Sequence, residues 1–309
     1  MDFLKGALKT VDEFSKVVDA LQQNNTPCSV CSLSRVHKAN VIDTLPECFS
    51  ERALVVVSDE GEAQKVYEDL LTLGANAKIF PARDLSFRKV DGVSREAEQE
   101  RIGVLCSILN QDFDVIIAPI DAIMTRTVPV NTLKNLVTTL ETSMTIDLKE
   151  LVSLLTFSGY NRVEIIESAG QFSVRGGIVD VFVPGQENPY RIEFWGDEID
   201  TISTFDIETQ RSNEQCEEIF ICPAREVLFE NADEFAEKIK AFADRLTKKH
   251  LVAKENIYAD AEQLQGGLVL SNIDKYLNIC YETRQTLFDY FGDGVVFVYE
   301  PQKIKERIR

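Results

Sequence analysis

Only two histidines, one tryptophan and three methionines occur in the 309 residues, and the seven cysteines are an odd number. So few imidazoles support no nucleophile triad: His37 stands in the Ser32–Asn40 stretch and His250 in the run Lys248-Lys249-His250. Neither has the His-x-His spacing that would complete a zinc site with a cysteine pair. An odd cysteine count in a long chain reads as reduced thiols, many of them core residues, rather than a disulfide framework. No window approaches the ~20 apolar residues of a membrane span. The start, Met1-Asp2-Phe3-Leu4-Lys5, meets charge before a signal-peptide core could form. Basic residues are also scarce, 33 against 51 acidic ones, for a net charge of −18. A surface that negative repels phosphate, which argues against autonomous, non-specific nucleic-acid binding. A soluble, cytoplasmic chain is expected.

What is present is ordinary globular material, 44% hydrophobic and 27% charged. The length suggests roughly two domains of about 150 residues. Phe3, Leu4, Leu8, Val11, Phe14, Val17, Val18 and Leu21 recur at helical spacing and predict one opening helix. Cys28-Ser29-Val30-Cys31 is a C-x-x-C, but its apolar setting reads as a first strand and not as a redox or zinc motif. Strands are then predicted at 53–57, 77–80 and 114–118, alternating with helices over 61–73 and 95–109, the pattern of a parallel, doubly wound layer. After about residue 130 the pattern changes. A helix over 148–157 precedes β-rich segments at 163–166, 172–183, 190–195 and 198–205. The connector Pro184-Gly185-Gln186-Glu187-Asn188-Pro189 is turn chemistry, so its flanking strands should form an antiparallel hairpin. From about Cys216 a third region begins. Asn231 can cap a helix whose Phe235, Ile239, Phe242 and Leu246 form a stripe. The run Val295-Val296-Phe297-Val298-Tyr299 could complete the first sheet, which would make the β-rich domain an insertion. The last residues, 303–309, read as a charged helical start cut from a longer protein.

An α/β layer invites a search for a phosphate loop. Ser32 to Ala39 stands where G-x-x-x-x-G-K-[ST] would sit, yet the glycines are gone. Lys38 survives and Ala39 follows it, so no hydroxyl is placed for a metal. Ser32, Ser34, Lys38 and Ala39 thus mark a degenerate nucleotide site predicted not to function, with no cofactor implied. Asp59, Glu60 and Asp121 follow strands where ligands often bind, but without a phosphate loop they read as caps and solvated surface. The chain by itself is not expected to be an enzyme.

In the strand 190–195, Tyr190, Ile192 and Phe194 share one face while Arg191, Glu193 and Trp195 share the other. Arg and Trp are the residue types most enriched at binding hot spots. Periodicity alone leaves two readings open: an interface, or a Trp195 packed under a loop with Arg191 paired to a cross-strand acid.

The segments Arg175-Gly176-Gly177-Ile178-Val179-Asp180-Val181-Phe182, Pro189-Tyr190-Arg191-Ile192-Glu193-Phe194-Trp195-Gly196-Asp197-Glu198-Ile199-Asp200 and Phe205-Asp206-Ile207-Glu208-Thr209-Gln210-Arg211-Ser212 form one continuous signature. It resembles that of the bacterial transcription-repair coupling factors (Mfd) and, more loosely, of the excision-repair protein UvrB. Segments 80–84, 95–109, 114–124 and 276–290 match in the same order, so the resemblance covers nearly the whole chain. UvrB carries an intact phosphate loop and a long aromatic hairpin, whereas here only residues 85–93 join Asp84 to Ser94. The coupling factors are therefore the better match.

The resemblance implies their N-terminal UvrB-homology module. Its fold class would be α/β, with a degenerate P-loop-type parallel sheet domain (1a/1b) and an inserted α+β domain (2) containing an antiparallel sheet. Domain 1a would span 1–130, domain 2 would span 131–212 and domain 1b would span 213–309. It further implies that domain 2 binds UvrA through Arg175, Arg191 and Trp195, the last commonly phenylalanine in relatives. RNA polymerase, double-stranded DNA, ATP and magnesium would engage other parts of a full-length ATP-dependent DNA translocase. A C-terminal domain of that protein would mask the UvrA surface. The rival expectations are a scaffold bracing the motor domains and a nucleotide-binding UvrB-like helicase fragment.

Overall fold

A computed structural model of the chain describes residues 2–83, 95–268, 270 and 272–309. The short 85–93 connection contrasted above with the UvrB hairpin lies outside the described residues. Two helices, α1 (Asp2–Lys9) and α2 (Asp12–Gln22), replace the single opening helix expected, because the backbone leaves helical geometry at Val11, with φ −84° and ψ 124°. Then follow α3 (Arg35–Thr44), β1 (Ala53–Val57), α4 (Glu60–Leu73), β2 (Ala77–Ile79), α5 (Glu96–Leu109), β3 (Val115–Pro119) and α6 (Ile120–Ile123). The middle of the chain holds α7 (Val130–Leu136), β4 (Thr138–Glu141), α8 (Leu148–Phe157), β5 (Asn161–Arg162), β6 (Gln171–Arg175), β7 (Ile178–Val181) and β8 (Tyr190–Trp195). It continues through β9 (Glu198–Phe205), β10 (Ser212–Cys216) and β11 (Glu218–Ile221). The last elements are α9 (Ala232–Asp244), α10 (Leu251–Gln265), α11 (Leu277–Cys280), α12 (Leu287–Phe291), β12 (Val295–Val298) and α13 (Pro301–Ile308).

The chain divides into two compact units. The first comprises Met1–Ala82, Ser107–Thr125 and Leu287–Arg309. Its sheet has the order β12-β1-β3-β2, and every pairing is parallel. All five residues of β1 are buried, as expected of a β-branched run covered on both faces. Asp59 accepts from the Glu62 amide and starts α4, while Gly74, at φ 84°, ends it in a left-handed turn. Ala39, Ile42, Val55, Val57, Val66, Leu70 and Ile117 form the core between the helices and this sheet. Each larger apolar side chain buried there stabilises by about 1.5–3 kcal/mol.

One expectation fails in this unit. Residues 28–31 form no strand and both Cys28 and Cys31 are exposed. The reason is positional: β1 already has β12 on one side and β3 on the other, so the place a preceding strand would take is filled by a segment from the far end of the chain. Only Cys106 and Cys222 of the seven free thiols are fully buried, fewer than composition suggested.

The second unit comprises Arg83–Cys106 and Arg126–Thr286. Its six-stranded sheet has the order β10-β9-β8-β7-β6-β5, antiparallel except where β5 meets β6. β7 and β8 pair across the 184–189 connector as a hairpin. No strand covers 163–166. There Ile166 folds onto Phe182 and Phe205 to make a small core of its own. Asn231 caps α9 by accepting from the Asp233 and Glu234 amides, and α9 packs on α10 through Phe235, Ile239, Ile257 and Leu264.

A buried ionic cluster ties this unit together. The Glu226 carboxylate, with no exposed surface, pairs with Arg83 at 2.5 Å and Arg101 at 2.7 Å. Burial alone would raise its pKa, but the two guanidiniums overcome that and hold it below the ordinary carboxylate value. Glu98 accepts from the Glu226 amide at 3.1 Å, and burial beside Asp274 and Glu226 pushes its pKa up to about 7.

Candidate functional site

Two tight turns build the upper end of the six-stranded sheet. Arg175 pairs with Ile178 across Gly176-Gly177, and Trp195 pairs with Glu198 across Gly196-Asp197. Gly176 at φ 62° and Gly196 at φ 66° take the left-handed conformation that two-residue hairpin loops require. A Cβ on Gly177 would stand 3.2 Å from the Phe194 carbonyl, so glycine also lets β8 run close beside this turn. Because β6 and β8 run the same way, both turns lie at the same end, which brings Arg175 and Trp195 to it together.

The register sorts the side chains. Ser173, Asp180, Arg191 and Ser203 stand opposite one another in one row, and Arg175, Ile178, Glu193 and Thr201 in the next. Trp195 shares this face two residues above Glu193. Its indole is 82% exposed, so it does not pack under a loop. The opposite face carries Val179, Ile192 and Ile202, all buried, with Tyr190 and Phe194 only partly covered.

The arginines are not equivalent. Arg191 donates from Nε to Asp180 Oδ1 at 2.7 Å and from Nη2 to Oδ2 at 3.0 Å. A third bond runs from Nη1 to the Gln210 carbonyl at 3.2 Å, and the guanidinium lies 4.6 Å from the Phe205 ring centroid. Only 14% of its side chain is exposed. The hydrogen-bonded Asp180 carboxylate holds Arg191 above the ordinary arginine value, firmly charged. Arg175 is bound to the same Asp180 Oδ2 through Nη2, but 48% of its side chain remains exposed. Thus the pairing of Arg191 with a cross-strand acid and the outward tryptophan, set out above as rivals, occur together. Little free cationic surface is left on this face, since Asp180 pairs with both guanidiniums and Glu193 stands in the row of Arg175. What remains on this face is an exposed indole and one half-exposed guanidinium.

The residues of the degenerate loop are scattered by function. Ser34 caps α3 by accepting from the His37 amide at 3.4 Å, and Ser32 sits in a left-handed turn at φ 63°. The Lys38 ammonium pairs with Glu300 and lies 4.9 Å from the Tyr299 ring centroid. Ala39 is buried in the core of the sheet. Asp59 is a cap, and the Ser58 hydroxyl and local amides hold its pKa below the ordinary value. Asp121 pairs with Arg307 at 2.6 Å. Among the described residues no group of three or more His, Cys, Asp or Glu could hold a metal, and no helix is long and apolar enough to cross a membrane.

The chain thus combines a parallel α/β unit, whose Lys38 is engaged internally, with a second unit whose sheet presents a tryptophan. Residues 138–227 match the UvrB interaction domain family. Over 97% of its length the chain is 28% identical to the transcription-repair-coupling factor of Bacillus subtilis (strain 168), covering 26% of that relative. Over 99% of its length it is 27% identical to the transcription-repair-coupling factor of Staphylococcus aureus (strain MRSA252), covering 27% of it. The chain spans about a quarter of the length of the curated relatives it matches. These findings bear out the resemblance carried by residues 175–212: residues 138–227 match the UvrB interaction domain family, and nearly the whole chain is similar to part of the transcription-repair-coupling factors.

Three residues that shape the surface were not singled out from sequence, namely Asp180, Phe205 and Gln210. Asp180 was within reach, since the hairpin expected across 184–189 places it on a strand beside Arg191. Phe205 and Gln210 depend on how the segment after β9 curls back, for which no motif speaks.

Proposed function

We propose that this chain is the UvrA-recruiting module of a transcription-repair coupling factor. The full protein would recognise RNA polymerase stalled at a DNA lesion, displace it by ATP-driven translocation on double-stranded DNA, and pass the site to UvrA in nucleotide excision repair. The steps that use ATP, magnesium, polymerase and DNA belong on this reading to parts of the protein outside this chain, which is itself not an enzyme and acts in the cytoplasm. A C-terminal domain of the full protein would cover the UvrA surface at rest.

The observation that carries the reading is Trp195, 82% exposed at the same end of the sheet as the half-exposed Arg175, within the residues that match the UvrB interaction domain family. An exposed indole loses apolar hydration on docking, and a guanidinium fork suits a carboxylate of the partner. Arg191, clamped to Asp180, frames the surface more than it touches the partner. Trp195→Ala and Arg175→Ala are each expected to weaken UvrA binding by roughly tenfold or more, a loss of ~1.4 kcal/mol or more, with the melting temperature unchanged. Isothermal titration of UvrA into each variant measures this, and unaltered affinity in the double variant refutes the site.

A further inference from the structure

We propose that Asp180 is the positioning residue of this docking surface, an inference that rests on reading the upper end of the sheet as the UvrA site. Its carboxylate is buried, 1% exposed, and three guanidinium bonds converge on it. Oδ1 accepts from Arg191 alone, whereas Oδ2 accepts from both Arg191 and Arg175.

That division of labour has a geometric result. Arg191 spends both edges of its fork on Asp180 and Gln210 and lies against Phe205, so it is fixed and largely covered. Arg175 gives Asp180 only one terminal nitrogen, and about half of its side chain faces outward. A planar fork pinned at one corner points its remaining donors in a set direction, and little rotamer freedom is left to lose when a carboxylate of the partner arrives. Asp180 thus acts through Arg175 and need not touch the partner. Arg191 keeps Asp180 in register and shields it from water.

The consequence runs against simple electrostatics. Asp180→Asn adds one net positive charge beneath the surface, which by charge alone should favour an acidic partner. Loss of positioning predicts the opposite for the lifetime of the complex. With purified UvrA as the probe, Asp180→Asn is expected to keep an association rate equal to or above that of the unaltered chain while its dissociation rate rises tenfold or more. The same substitution placed on Arg175→Ala is expected to change dissociation less than threefold, because the group it positions is gone. A merely structural role would instead lower the fraction of active protein and leave the two substitutions additive.

Unchanged dissociation of Asp180→Asn, or additive effects with Arg175→Ala, overturns the proposal while leaving Trp195 as the anchor. If Asp180→Asn does not fold, Arg175→Lys serves: it keeps the charge next to an intact Asp180 but lacks the fork. Dissociation of Arg175→Lys at the unaltered rate would equally overturn the proposal, and a tenfold increase supports it. Binding that is indifferent to Trp195→Ala removes the docking surface itself, and the inference with it.

Discussion

Replacing Glu226 by glutamine tests the account of the second unit most severely. The carboxylate is wholly buried, and both partners are nearly so, with 3% of the Arg83 side chain and 1% of the Arg101 side chain exposed. Glu226→Gln preserves the size and one acceptor oxygen but removes the buried charge closest to both guanidiniums, with Asp274 standing farther off, 3.6 Å from Arg83. Removing one partner of a buried pair typically costs 3–5 kcal/mol, roughly, because the stranded charge keeps its desolvation penalty. In a unit of about 150–250 residues each kcal/mol lowers the melting temperature by ~2–4 °C. The expected fall is therefore roughly 6–20 °C. Differential scanning calorimetry on the chain reads it directly. A fall of less than about 3 °C for Glu226→Gln would refute the reasoning.

Two further outcomes are expected. Glu98 holds its proton more tightly in the folded chain, where its pKa is pushed up to about 7, than at its ordinary value of 4.5, so its ionisation costs stability as pH rises through that window. The penalty is absent below about pH 4.5 and complete above about pH 7, where it reaches about 3 kcal/mol. Glu98→Gln should therefore unfold at higher urea than the unaltered chain at pH 8 and at nearly the same urea at pH 4.5; equal shifts at both pH values would contradict this. Titration calorimetry with magnesium-ATP should show no binding tighter than about 1 mM, because Glu300 already holds the Lys38 ammonium and Ala39 supplies no hydroxyl. A micromolar affinity, abolished by Lys38→Ala, would restore the nucleotide-binding reading.

The alternation of buried apolar runs with helical stripes was enough to place most of the parallel layer, since β1, α4 and β3 fall where periodicity sets them, as do α8 and β8 in the second unit. Such elements are legible because a strand or helix must bury its apolar face and so writes its period into the chain. The hairpin across 184–189 was legible for a similar reason: proline and glycine limit backbone dihedrals locally. The 28–31 segment was not, because whether an apolar run becomes a strand depends on which sheet edge is open, and β12, more than 260 residues later, occupies the place beside β1.

The same line divides the candidate site. Sequence by itself determined which residues face the same way on β8, that the phosphate loop lacks its glycines, and that the chain resembles the coupling factors. These properties follow from neighbours along the chain. Tertiary structure alone decided that Trp195 stays in solvent while Arg191 is spent on Asp180, and that Lys38 is taken by Glu300. A side chain's availability depends on charges and rings brought to it from distant segments, and local pattern carries no record of those.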